Sequence, residues 1–222
     1  MKHSLKIALP SLMLSIAFSS HAAESLKPTA VADLYIRTLV NHNDRAISQL
    51  NDYLRADRLR SGRSADYASA ADLKAADKAF PGEIADMAMP LFPEAVRGSL
   101  KAPLIELMTT VQKARQSSQC KAVSAGEAQK DDNGILTTEV AFSCTLVKTN
   151  ETWANGIHRI AQSNCDAAQC TSELKKLQAT YTAPASFEYK GTFAISMVPQ
   201  DKDTAWRNDF ARETFDEMFS DL

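Results

Sequence analysis

Apolar positions recur every three or four residues through the first half of the chain and alternate through much of the second. Thr29 can cap a helix in which Val31, Leu34, Tyr35, Thr38 and Leu39 repeat at helical spacing. Asn41-His42-Asn43 breaks that run, and Asp44 can cap a second helix with Ile47, Leu50 and Leu54 on one face. Arg55, Arg58, Arg60 and Arg63 follow, and Ser61-Gly62 marks a loop. Ser69 to Phe80 is alanine-rich with Leu73, Ala76 and Phe80 aligned, which predicts another helix. Pro81, Pro90, Pro93 and Pro103 then punctuate the chain. Pro103 suits the first turn of a helix through Gln116, with Leu104, Leu107, Met108, Val111 and Ala114 on its buried face.

The period changes near residue 118. Leu136, Thr138, Val140, Phe142, Cys144 and Leu146 occupy alternate positions, the pattern of a half-buried strand. Phe187, Tyr189, Phe193, Ile195 and Met197 alternate likewise through Gly191. The stretch from Lys148 to Ile160 is ambiguous. Trp153, Ile157 and Ile160 fit a helix while Asn155-Gly156 is a hairpin signal, and we read a turn or short helix. Thr171 to Ala179 reads as helix with Thr171 or Ser172 as cap. Asp203 to Phe219 reads as an amphipathic helix bearing Trp206, Phe210, Met218 and Phe219. The fold class is α+β: a helical N-terminal half packed on a small antiparallel sheet, with a C-terminal amphipathic helix.

The first 22 residues stand apart from this pattern. Lys2 and Lys6 flank the start of an apolar run from Ile7 to Phe18, and small residues close it at Ser20 and Ala22. That is the arrangement of a secretory signal peptide, with cleavage after Ala22. The run is shorter than the roughly 20 residues of a membrane span. Residues 23–222 then form a single secreted domain in the bacterial periplasm. Removing residues 1–22 takes away Lys2 and Lys6 and no acid, which leaves 23 basic against 27 acidic side chains. Such a balance gives no general attraction to nucleic acid.

All four cysteines lie in that exported part, and an even number in an exported chain predicts two disulfides. The midpoint of Cys120 and Cys144 falls in Lys130-Asp131-Asp132-Asn133-Gly134, a cluster of turn formers. A hairpin loop there sets Cys120 opposite Cys144, within disulfide reach. Cys165 and Cys170 then pair around a four-residue loop. Four intervening residues are too many for the C-x-x-C geometry of a redox pair. Zinc is not implied, because only His42 and His158 remain as imidazoles after cleavage.

Glycine excludes further chemistry. The chain has 7 in 222 residues, and the closest pair, Gly126 and Gly134, is eight apart. Glycine-rich phosphate loops and the G-x-S-x-G elbow need closer pairs. No catalytic residues, cofactor or metal are therefore assigned. His42 beside Asp44 could form an imidazole–carboxylate pair, but an exposed turn and a helix cap account for both residues. His158 has no identifiable nucleophile to serve.

Charge supplies the remaining candidates. At helical spacing Arg55 and Arg58 share a face that Arg60 and Arg63 extend, and the cluster could bind an anion or an acidic partner, with Asp52, Asp57 and Asp66 close enough to neutralise it. Residues 201–222 hold seven acids against three bases, and this acidic helix could meet a basic partner. The leading reading is a non-enzymatic periplasmic module that binds another secreted or envelope protein, as an inhibitor, immunity protein or adaptor. The alternative is a small-molecule-binding protein or hydrolase with a pocket between the helices and the sheet.

Overall fold

The computed structural model describes residues 26–199, 204–209 and 211–220. The leader read over residues 1–22 lies outside them. Helix α1, Pro28–Leu39, starts with proline where a missing N–H leaves nothing unsatisfied, and it buries Val31, Tyr35, Ile36 and Leu39. A short turn leads into α2, Asp44–Arg60, capped by the Asn43 side chain on the Ala46 N–H at 3.0 Å. Asn43 is thus the cap, with Asp44 in the first turn. The helix runs on through Arg55, Arg58 and Arg60 and ends at the Ser61-Gly62 turn.

Helix α3, Ala70–Ala88, is capped by Ser69 and continues through Pro81. Helix α4, Glu94–Gln116, follows a 3-10 turn at Met89–Leu91 and continues through Pro103. The helix end expected before Pro81 and the helix start expected at Pro103 therefore do not occur. A proline forfeits one backbone hydrogen bond and crowds the preceding turn. These two helices pack against each other along their length, however, and such packing, rather than propensity, supplies most helix stability in proteins.

The sheet comprises β1, Gln119–Ala125, the short β2, Gln129–Lys130, and two long strands, β3, Leu136–Val147, and β4, Ala185–Met197. Strand β3 is central: β1 and β2 pair with one edge and β4 with the other, all antiparallel. Between β3 and β4 the chain forms α5, Trp153–Gln162, and α6, Ala167–Thr180. Asn155-Gly156 lies inside α5 rather than in a hairpin turn. Helix α6 starts four residues earlier than its pattern predicted. Asp166 and Gln169 form a reciprocal capping box there, in place of a Thr171 or Ser172 cap.

The C-terminal stretch is two pieces, not one helix. Arg207 bridges to Ser196 on β4 through paired backbone hydrogen bonds, and α7 spans Ala211–Ser220. Residues 204–209 instead cover one end of the β4 edge. Trp206 and Met218 are buried, as their stripe implied. Phe210 and the Phe219 side chain lie outside the described residues.

Two large apolar clusters result. One joins α1, α2, the inner face of the sheet and the C-terminal pieces around Tyr35, Phe142, Phe193 and Phe215. Its aromatic rings meet edge to face, with Phe215 centroids 5.5 Å from Phe142 and 5.6 Å from Phe193. The other joins α3, α4, α5 and α6 around Leu104, Leu107, Ile160 and Leu174. Each holds one disulfide. Cys120–Cys144 links directly opposed residues of β1 and β3, and Cys165–Cys170 closes the α5–α6 turn. Among the described residues, no helix is long and apolar enough to cross a membrane.

Candidate functional site

Between the two clusters lies a cleft of about 510 Å³, within the range of small-molecule sites. The sheet side contributes Leu39, His42, Leu146, Val147, Arg212 and Asp216. The helical side contributes one face of α3 from Leu73 to Glu83, the C-terminal turns of α4, and the rings of Phe80, Trp153 and Tyr181. Most of this lining is apolar. Polar and charged side chains still make up about half of the lining residues, and His42, Asp77, Gln112 and Gln116 meet at one place.

That meeting point is built on His42. Its backbone has φ 49°, the left-handed region that a non-glycine residue seldom adopts. The turn is held there by Asn41, whose side-chain N–H groups donate to the carbonyls of Gln116 at 2.8 Å and Ser118 at 2.9 Å. Gln116 is the last residue of α4, so this amide satisfies a carbonyl that the helix end leaves open. The turn is thereby clamped across the two clusters.

The imidazole Nδ1 lies 2.9 Å from Asp77 Oδ2. A carboxylate can only accept, so Nδ1 donates. Asp77 Oδ1 accepts from Gln112 Nε2 at 2.8 Å, and the same amide reaches the Asp77 carbonyl at 3.0 Å. The His42 and Asp77 side chains are 18% and 25% exposed, so the pair is sheltered yet open to the cleft. With Nδ1 committed, Nε2 is the ring nitrogen without a protein partner among the described residues.

At the cleft wall Arg115 Nη2 donates to Asp216 at 2.9 Å, joining α4 to α7. Burial pushes the Tyr181 phenol up to about 12, against hydrogen bonds from the Trp153 backbone and with Thr149 that pull it down. It is a neutral wall group at any physiological pH.

Sequence reasoning paired His42 with Asp44 or left both on an exposed turn. The pair does not form: Asp44 is exposed at the start of α2 and meets Lys74 at 2.7 Å, 30 residues on, whereas His42 is sheltered against Asp77. A signal existed for Asp77. It sits between Leu73 and Phe80 on their helical face, a carboxylate within an apolar stripe. His158 is exposed on α5, away from this lining.

The four candidate arginines lie outside the cleft, and each meets an oxygen of its own chain. Arg55 reaches Asp66 at 3.2 Å and Asp52 at 3.6 Å. Arg58 donates to the Ser64 carbonyl and hydroxyl and lies over the Tyr67 ring, 5.6 Å from its centroid. Arg60 meets Asp57 at 2.6 Å, and Arg207 reaches the same carboxylate at 2.9 Å; its side chain is only 5% exposed. Arg63 clamps both oxygens of Asp209, and its hydrogen bond holds that carboxyl below the usual carboxylate range. Arg63 and the Asp57–Arg207 pair therefore tie the end of α2 and its following turn to the C-terminal segment, while Arg55, Arg58 and Arg60 are held locally.

Among the described residues no group of three or more histidine, cysteine or acidic side chains is arranged to hold a metal ion. Compared with known proteins, the chain matches no family model, no curated protein and no solved structure.

Proposed function

We propose that this is a small-molecule-binding protein, exported by the leader at residues 1–22 to the bacterial periplasm. It holds a ligand with an apolar body in the cleft between its two clusters. The observation that carries this reading is a largely apolar hollow of about 510 Å³ with a preorganised His42–Asp77–Gln112 constellation at one end. Two disulfides are compatible with export. The rival reading, a protein-binding module, drew on the arginine face and the acidic C-terminal helix. The arginines and two of those acids, Asp209 and Asp216, are engaged within the chain, and the apolar face of α7 is core.

A thermal-shift screen of amphipathic small molecules tests the reading. A ligand should raise the melting temperature by mass action and change the emission of Trp153, which lines the cleft. Ala76→Phe should remove both effects, because Ala76 lines the cleft from an exposed helical position and its replacement fills space without disturbing the core. Shifts that survive Ala76→Phe, or none across the panel, would reject a ligand site here.

A further inference from the structure

The polar groups of the cleft divide into those satisfied by the chain and those left open, and the division is lopsided. Both Asp77 oxygens accept hydrogen bonds from His42 and Gln112, and Asp216 accepts from Arg115. Among the described residues, Arg212 has no hydrogen-bonded or ion-paired partner, although Glu213 and Asp216 share its helix. Its guanidinium carries five N–H donors in a planar fork suited to carboxylate. The Trp153 indole N–H is likewise without a partner among the described residues. His42 Nε2 can donate to an anion when protonated, or accept the proton of an acid when neutral. Among the described lining residues, only Glu83 stands against these as an open carboxylate. It lies six residues beyond Asp77 on α3, roughly 9 Å along the helix at 1.5 Å per residue.

We infer that the cleft takes an amphipathic carboxylic acid, a molecule with an acyl-type apolar chain and one carboxyl head met by Arg212 and His42. The inference rests on the ligand-binding reading and names its chemical class. The apolar chain would lie along α3 away from the head at His42, where the lining face from Asp77 to Glu83 runs roughly 9 Å by the same helical rise. Phe80, Val111 and Leu146 supply apolar surface along that path. A carboxyl head fits the donor surplus because it accepts from guanidinium in a bidentate way and shares a proton with imidazole in either charge state. An amine head would face Arg212 and lack an open carboxylate beside His42.

Titration of Trp153 fluorescence with dodecanoate, dodecanol and methyl dodecanoate tests this directly. Dodecanoate should bind about tenfold tighter than either neutral analogue, the scale of one charge-assisted hydrogen bond. Arg212→Gln should erase that preference by weakening dodecanoate far more than dodecanol. His42→Asn, which retains a residue tolerant of positive φ, should weaken the acid more than the ester. Equal binding of all three compounds, or a preference that survives Arg212→Gln, would overturn the head-group assignment and leave the cleft as a site for neutral ligands. Binding by none of them would overturn the cleft as a lipid-chain site altogether.

Discussion

The two clusters flanking the cleft are assembled in opposite ways. The helical one draws on residues between 80 and 181, mostly as helices that follow each other and pack as neighbours. The sheet cluster gathers residues from 31 to 54, 140 to 146 and 193 to 218, so both ends of the described chain meet on β3 and β4. The chain crosses between them repeatedly, through α4 into β1 and out of β3 towards α5. A cleft between bodies threaded this way has walls that neither body fixes alone. Its position depends on cross-links such as Asn41 to the end of α4 and Arg115 to Asp216.

The sheet cluster should be the more sensitive to a deletion at its C-terminal contribution. Phe215 is fully buried and stacks on two other rings. Phe215→Ala should cost about 3–5 kcal/mol, and Leu107→Ala on the helical side about 2–5 kcal/mol, by denaturant titration. A Phe215→Ala cost under about 1 kcal/mol would detach α7 from the core.

The disulfides extend the contrast. Cys120 and Cys144 are 24 residues apart and Cys165 and Cys170 only five. In the loop-entropy model, replacing the first pair with serine should cost roughly 3–4 kcal/mol and the second about 2 kcal/mol. The reverse order in melting experiments would place the dominant constraint in the helical part.

A finer comparison comes from two glycines. A Cβ at Gly191 would lie 2.8 Å from the Phe142 ring, and one at Gly156 would lie 2.6 Å from Leu177 Cδ2. Gly191→Ala should cost about 1–3 kcal/mol, since the ring is locked among other aromatics. Gly156→Ala should cost less, because alanine recovers up to about 1 kcal/mol of helix propensity and a leucine end can rotate. Equal losses would mean that Phe142 has room to move.

Alkaline pH should act on both sides of the cleft. Burial raises the phenols of Tyr35, Tyr53 and Tyr67 on one side and Tyr181 on the other, with Tyr67 and Tyr181 at about 12. The folded chain then holds protons that the unfolded chain releases near its ordinary value of 10. The stabilisation is complete below about pH 10 and is lost as pH rises through 12. Phenolate absorbance should therefore lag behind free tyrosine and rise together with unfolding. A gradual rise near pH 10 in a folded chain would show these rings to be open to water.

Much of the fold was legible in the residues. The alternation from Leu136 to Leu146 marked β3, and the turn formers around residue 132 marked the hairpin that, after a register shift between Ala122 and Ser124, brings Cys120 opposite Cys144. Local rules failed where distant contacts prevailed. Pro81 did not end its helix and Pro103 did not begin one, because α3 and α4 brace each other. The C-terminal aromatics at helical spacing concealed an extended piece, because pairing of Arg207 with Ser196 requires β4 to be in place. The cleft was legible only as a place between helices and sheet. Its polar end joins positions 35 residues apart, His42 and Asp77, and no local pattern specifies which carboxylate an imidazole will meet.

Hydrogen–deuterium exchange with and without dodecanoate tests the cleft most directly. Bound ligand should slow exchange on both walls at once: in α3 from Leu73 to Glu83 and the end of α4, and in the His42 turn and α7. Slowing confined to one wall, or centred on the solvent face of the sheet, would contradict a ligand held between the two clusters.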